Sequence, residues 1–192
     1  MSYPDPRYFG DTGQINAVFR PASSEPDFIS KPVNTAGPTV GEGTAYHYLA
    51  TTASTAGEFG LYRVDMGPEP AGPSRHFHKT ISESFFILSG TMRLFDGDRW
   101  IDAHAGDFLY VPVGGLHAFR NESGEPASML LLFAPGAPRE AYFEGITELA
   151  ELSDEERTEF FIRHDDYFVQ RCYWKYPRAH AGNCPAVPTQ AR

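Results

Sequence analysis

The chain has 192 residues, 41% of them hydrophobic, and a formal charge of −9 from 16 basic and 25 acidic side chains. That length suits one packed domain with a single core, and the acidic balance offers no basic stripe for phosphates, which argues against nucleic acid and anionic membrane surfaces and favours a neutral or weakly polar small molecule. Met1 to Pro6 carry neither the basic nor the apolar region of a secretory leader, and no run approaches the roughly 18 apolar residues of a spanning helix, so a cytoplasmic location is expected.

Residues 1–43 scatter Pro, Gly, Ser and Thr among isolated apolar residues such as Phe19, Phe28 and Ile29, the pattern of an N-terminal arm with a short edge strand. From Tyr46 the pattern turns β-like, with Tyr46 to Ala50 and Phe59 to Val64 as strands joined by a loop. The breaker cluster from Gly67 to Pro73 forces a loop before His76. Glu83 to Leu88 is apolar on both faces after its first residue, as in a barrel strand covered inside and out. Thr91 to Phe95 and Arg99 to Asp102 flank Asp96-Gly97-Asp98, a strong hairpin signal. Phe108 to Val111 makes another strand, stopped by Pro112 and Gly114-Gly115. Ala118 to Arg120 and Ser128 to Phe133 are expected to pair around the polar turn from Asn121 to Pro126. Short strands spaced at roughly 8–12 residues with turn chemistry between them predict a mainly β sandwich or barrel over residues 44–134.

After Pro135 the period becomes helical. Ala141, Phe143, Ile146, Leu149 and Ala150 predict one amphipathic helix, and Ser153-Asp154-Glu155-Glu156 is a capping box opening a second that carries Phe160, Phe161 and His164. This helical segment is expected over 135–175, with a tail over 176–192. Cys172 and Cys184 lack CxxC spacing in a polar segment, so neither a thiol site nor a disulfide is expected.

The chemistry concentrates in His76-Phe77-His78, Glu83 and His117. An i, i+2 pair on a strand puts both imidazoles on one face while Phe77 points away. A tight bend before Glu83 returns its carboxylate to the pair, and the turn at Pro112 and Gly114 brings the next strand in with His117 inward. Three imidazoles and a carboxylate suit a first-row divalent metal, and the lack of thiolate argues against iron–sulfur or all-cysteine zinc sites. The remaining histidines, His47, His104, His164 and His180, read as satisfied or exposed side chains. Phe85 and Ile87 share the parity of Glu83 and are expected to line the substrate pocket; Phe86 and Leu88 should face an outer layer, and Tyr110 and Phe119 are further pocket candidates.

Two glycine-framed segments hold these residues. The first runs from Gly72 through His76, His78 and Glu83 to Gly90, and the second from Gly106 through Pro112, Gly114 and His117 to Asn121. Together they resemble the two motifs of the cupin superfamily, departing only in that Gly72 stands four residues before His76 where six is usual. The resemblance implies a double-stranded β-helix, or jelly-roll, barrel with His76, His78, Glu83 and His117 as ligands of one divalent transition metal, whether nickel, iron, manganese, cobalt, copper or zinc. Within the superfamily the layout is similar to single-domain quercetinases, the flavonol 2,4-dioxygenases. That similarity implies dioxygen insertion into a flavonol-like or other hydroxylated aromatic or enol substrate, with Glu83 as ligand and general base. A homodimer is also expected, because small cupins are commonly dimeric. The same site without redox chemistry would serve an isomerase, lyase or cyclase, and without turnover a small-molecule-binding module.

Overall fold

The computed structural model describes residues 17–23, 25–30, 43–69 and 71–169. Cys172, Cys184, His180 and the expected tail lie outside them.

Eleven short strands and two helices are present among the described residues. A six-stranded antiparallel sheet has the order β1 (Phe28–Ser30), β2 (Thr44–Ala50), β3 (Gly60–Met66), β10 (Ala127–Ala134), β5 (Ser82–Ser89), β8 (Phe108–Val111). Opposite it lies a sheet ordered β7 (Trp100–His104), β6 (Thr91–Phe95), β9 (Ala118–Arg120). This second sheet continues past β9: His76 and His117 exchange backbone hydrogen bonds of 2.9 Å each way, tying in β4 (His76–Phe77), which pairs with β11 (Tyr167–Phe168). Strict alternation of buried and half-exposed residues along β3 and β10 shows a sheet with one face on the core. Tyr62, Val64, Ile87, Met92, Met129 and Leu131 meet there with almost no exposure.

The Asp96-Gly97-Asp98 signal holds. Asp96 Oδ1 accepts from the amides of Asp98 and Arg99 at 2.9 and 2.8 Å, and Gly97 takes the left-handed φ of +102° that the turn needs. The expected pairing of Ala118–Arg120 with Ser128–Phe133 does not form. β9 pairs with β6, while β10 crosses to the opposite sheet between β3 and β5. The cause is Asn121, fully buried, whose amide donates to the carbonyls of Gly67 and Glu125 at 2.8 Å each and whose Oδ1 accepts from Ser123. That network makes the polar turn a crossover between sheets rather than a hairpin.

The outer face of β5 also differs from expectation. Phe86 and Leu88 are 40% and 39% exposed, and Phe108 and Tyr110 on neighbouring β8 are exposed as well, so nothing among the described residues covers this face. The predicted first helix is shorter than its apolar pattern. α1 spans Glu140–Gly145, and a separate 3-10 turn follows at Leu149–Glu151. Glycine at the end of α1 supplies little helix propensity to carry it on. α2, Asp154–Arg163, has the complete capping box: the Ser153 hydroxyl accepts from the Glu156 amide, and the Glu156 carboxylate accepts from the Ser153 amide at 2.8 Å. No helix among the described residues is long and apolar enough to cross a membrane.

Candidate metal centre

The two motif segments reach one another through their loops. Gly72 has a φ of +140°, and a Cβ there would strike the Phe119 carbonyl, so the glycine lets the loop before β4 pass directly against β9. Its neighbour Ala71 bridges to Asn121. From the second motif, the Gly114 amide donates to the His78 carbonyl at 2.7 Å, closing the Pro112 turn onto the first. Glu83 enters from the opposite sheet, held in register between Val111 of β8 and Phe133 of β10.

These contacts bring His76, His78, Glu83 and His117 together with one ligand atom from each lying within 4.8 Å of the others. All four are buried, with exposures of 0 to 3%. The Nδ1 atom of each ring faces a backbone carbonyl: Ser74 at 2.9 Å for His76, Asp165 at 2.7 Å for His78 and Gly115 at 3.0 Å for His117. Those bonds place the proton on Nδ1 and leave Nε2 directed inward, the tautomer that metal-binding histidines require.

The inner nitrogens make the donor set's charge demand explicit. Glu83 Oε2 lies 3.1 Å from His78 Nε2 and 2.7 Å from His117 Nε2. Each of these rings thus faces an acceptor at both nitrogens, and a neutral imidazole has only one proton to give. With the proton on Nδ1, both inner nitrogens and the carboxylate oxygen are lone-pair donors turned on one point, an arrangement that a cation accepting from all three satisfies. A divalent metal fits that demand and the imidazole–carboxylate chemistry.

The titration preferences point the same way. Burial pushes His76 down to about 3, so this ring is neutral at physiological pH. For His78 burial pulls down too, but the Glu83 carboxylate outweighs it and holds the imidazole above its ordinary value. Burial alone would raise Glu83, yet the hydrogen bonds and charges of His117 and His78 hold it well below the usual carboxylate range. Glu83 is therefore ionised.

One side of the cluster opens on a cavity of about 360 Å³ whose wall includes His76 and Glu83. Phe119 lines it together with Tyr46, Leu131, Phe133, Tyr142, Phe143 and Phe168. Phe85 and Ile87 do not. Both are fully buried, and Phe85 packs against the rings of His117 and Phe119 at 5.9 and 5.6 Å. Inward parity on β5 thus leads to the core beneath the ligands, and only Glu83, at the strand's start, reaches the cavity. Tyr110 points outward and is exposed. His47 is buried between Asp65 and Arg63 at 3.1 and 2.8 Å, His104 is exposed, and His164 ends α2 with its ring 4.6 Å from that of Phe160.

Sequence reasoning missed the contribution of Arg139 and of Asp165 to Phe168. Arg139, almost fully buried in the cavity wall, pairs with buried Asp166 at 3.1 Å and donates to the His164 carbonyl at 2.6 Å. Asp166 Oδ1 lies 3.3 Å from His78 Nδ1. The visible sign was an acidic pair directly after a helix, followed by the β-like Tyr167-Phe168-Val169.

The chain is similar to several known proteins. The cupin domain family matches residues 62–133. Quercetin 2,3-dioxygenase of Bacillus subtilis is 29% identical over 91 residues, which are 47% of this chain and 26% of that enzyme's length. Among solved structures, a predicted oxalate decarboxylase from Thermotoga maritima aligns with TM-score 0.45 and 18% identity, over 47% of this chain and 79% of its own. A sugar phosphate isomerase from Silicibacter pomeroyi aligns with TM-score 0.42 and 24% identity, over 47% of this chain and 59% of its own. The paired antiparallel sheets form a double-stranded β-helix barrel that carries the two-motif ligand set, and residues 62–133 of that barrel match the cupin domain family.

Proposed function

We propose that the protein is a metal-dependent dioxygenase acting on a flavonol-like or other hydroxylated aromatic or enol substrate. The observation that carries this reading is the double position of Glu83, which belongs to the ligand cluster and also to the wall of a largely aromatic cavity. Both hydrogen bonds to its carboxylate fall on Oε2, and among the described residues none reaches Oε1. One oxygen is thus tied to the histidines, and the other is left to take a proton from a substrate hydroxyl.

A cavity of about 360 Å³ lies within the range of small-molecule sites. Phe119, Phe133, Tyr142, Phe143 and Phe168 give it flat apolar surfaces that suit a planar ring system, orient it and displace water from around Glu83. A divalent transition metal held by His76, His78, Glu83 and His117 supplies Lewis acidity that makes a nearby hydroxyl more acidic and, where the ion is redox-active, access to dioxygen chemistry. The likeness to quercetin 2,3-dioxygenase supports the choice of substrate class.

An oxygen-electrode screen of flavonols, other phenols and enols tests the proposal. Dioxygen uptake with a member of this panel is expected, and it should fall by about 10² to 10⁴-fold in Glu83→Gln protein. Absence of uptake across the panel overturns the dioxygenase reading. Turnover of a panel member under strict anaerobiosis would replace it with an isomerase, lyase or cyclase, since proton transfer by Glu83 needs no oxidant.

A further inference from the structure

His78 is anchored differently from the other two imidazoles. The Nδ1 atoms of His76 and His117 donate to carbonyls two residues upstream in their own segments, Ser74 and Gly115. These rings are aimed by local backbone. His78 Nδ1 instead donates to the carbonyl of Asp165, 87 residues away and outside the barrel, at 2.7 Å.

Asp165 is itself fixed from two sides. Its φ of +61° is left-handed, a conformation that aspartate tolerates better than most residues. Its carboxylate accepts from the amides of Lys79 and Thr80 at 3.0 and 2.8 Å and from the Thr80 hydroxyl at 2.7 Å. One residue therefore grips the His78 ring with its carbonyl and the two residues after His78 with its side chain. Beyond it, β11 pairs with β4, placing Phe168 opposite His76 with the two rings stacked at 5.2 Å. The Val169 amide closes the strap on the Arg75 carbonyl at 3.0 Å.

We propose that the strap Asp165 to Phe168 is a positioning element of the metal centre, with Asp165 as the residue that aims His78, so that the full ligand set exists only when the C-terminal segment is docked. The proposal rests on the reading of the four side chains as metal ligands. A group that orients a ligating histidine through its second nitrogen typically contributes 10- to 100-fold in metal affinity.

Cobalt(II) titration of the full chain, followed by visible absorption, tests this without reference to turnover. Asp165→Ala keeps the carbonyl but removes the carboxylate that fixes it beside His78, and should weaken cobalt(II) binding by up to roughly 10- to 100-fold and alter the ligand-field bands while leaving the far-ultraviolet circular dichroism unchanged. Asp165→Asn, which keeps an acceptor oxygen and the left-handed conformation, should recover most of the loss. Thr80→Val removes one of the three bonds to the Asp165 carboxylate and should give a smaller loss. Wild-type affinity and bands in both Asp165→Ala and Thr80→Val overturn the proposal; if Asp165→Ala does not fold, Thr80→Val decides alone. A wild-type chain that takes up no cobalt(II) would instead defeat the ligand reading, and the proposal with it.

Discussion

Within the barrel, His76, Glu83 and His117 are held by bonds that close within a few residues or across a neighbouring strand, whereas residues 139–168 reach the site from outside, through Arg139, Asp165, Asp166 and Phe168. The barrel supplies the atoms that would bind metal. The outer segment supplies the aim of one ring and much of the cavity wall, including Tyr142 and Phe143 of α1. Division of labour of this kind separates ligand identity from ligand orientation, and the two should respond to different substitutions.

The largest expected effect lies on the barrel side. Glu83→Gln keeps the size of the side chain but removes the charge and the base, and turnover should fall by about 10² to 10⁴-fold, measured as initial rate of substrate loss. Next comes the buried pair that closes the outer segment on itself, Arg139 with Asp166. Arg139→Ala leaves the Asp166 carboxylate buried without its partner and should cost about 3–5 kcal/mol in a denaturant titration. An Arg139→Ala protein as stable as wild type would show that this pair does not hold the outer segment in its folded form. The smallest effect belongs to the far end of α2, where Ser153→Ala removes the capping hydroxyl and should cost about 1 kcal/mol by the same measurement. Metal affinity should stay unchanged in that variant, because the cap lies a full helix away from Asp165.

The two regions were also unequally legible in the sequence. The ligands could be found because each motif carries its own geometry: His76 and His78 share a face by strand parity, and the turn at Pro112 and Gly114 directs His117 inward. Parity worked less well for the pocket. It places Phe85 and Ile87 inside, but inside a filled barrel means packed core, and nothing along β5 marks where cavity gives way to core. The Asn121 turn misled in a related way. Its polar composition matches a hairpin, and only the buried bonds of Asn121 to Gly67 and Glu125 show that the chain changes sheets. Asp165, Asp166 and Arg139 were illegible for a third reason. Their partners lie 25 or more residues away, so no local period or spacing records them.

The central claim, that His76, His78, Glu83 and His117 form one metal centre, is tested most directly by elemental analysis of the purified chain after equilibration with a divalent transition metal and removal of the excess. The account predicts one metal ion per chain, lost in His117→Ala protein of unchanged circular dichroism. Substoichiometric metal in the wild type, or equal metal in the His117→Ala variant, would contradict it.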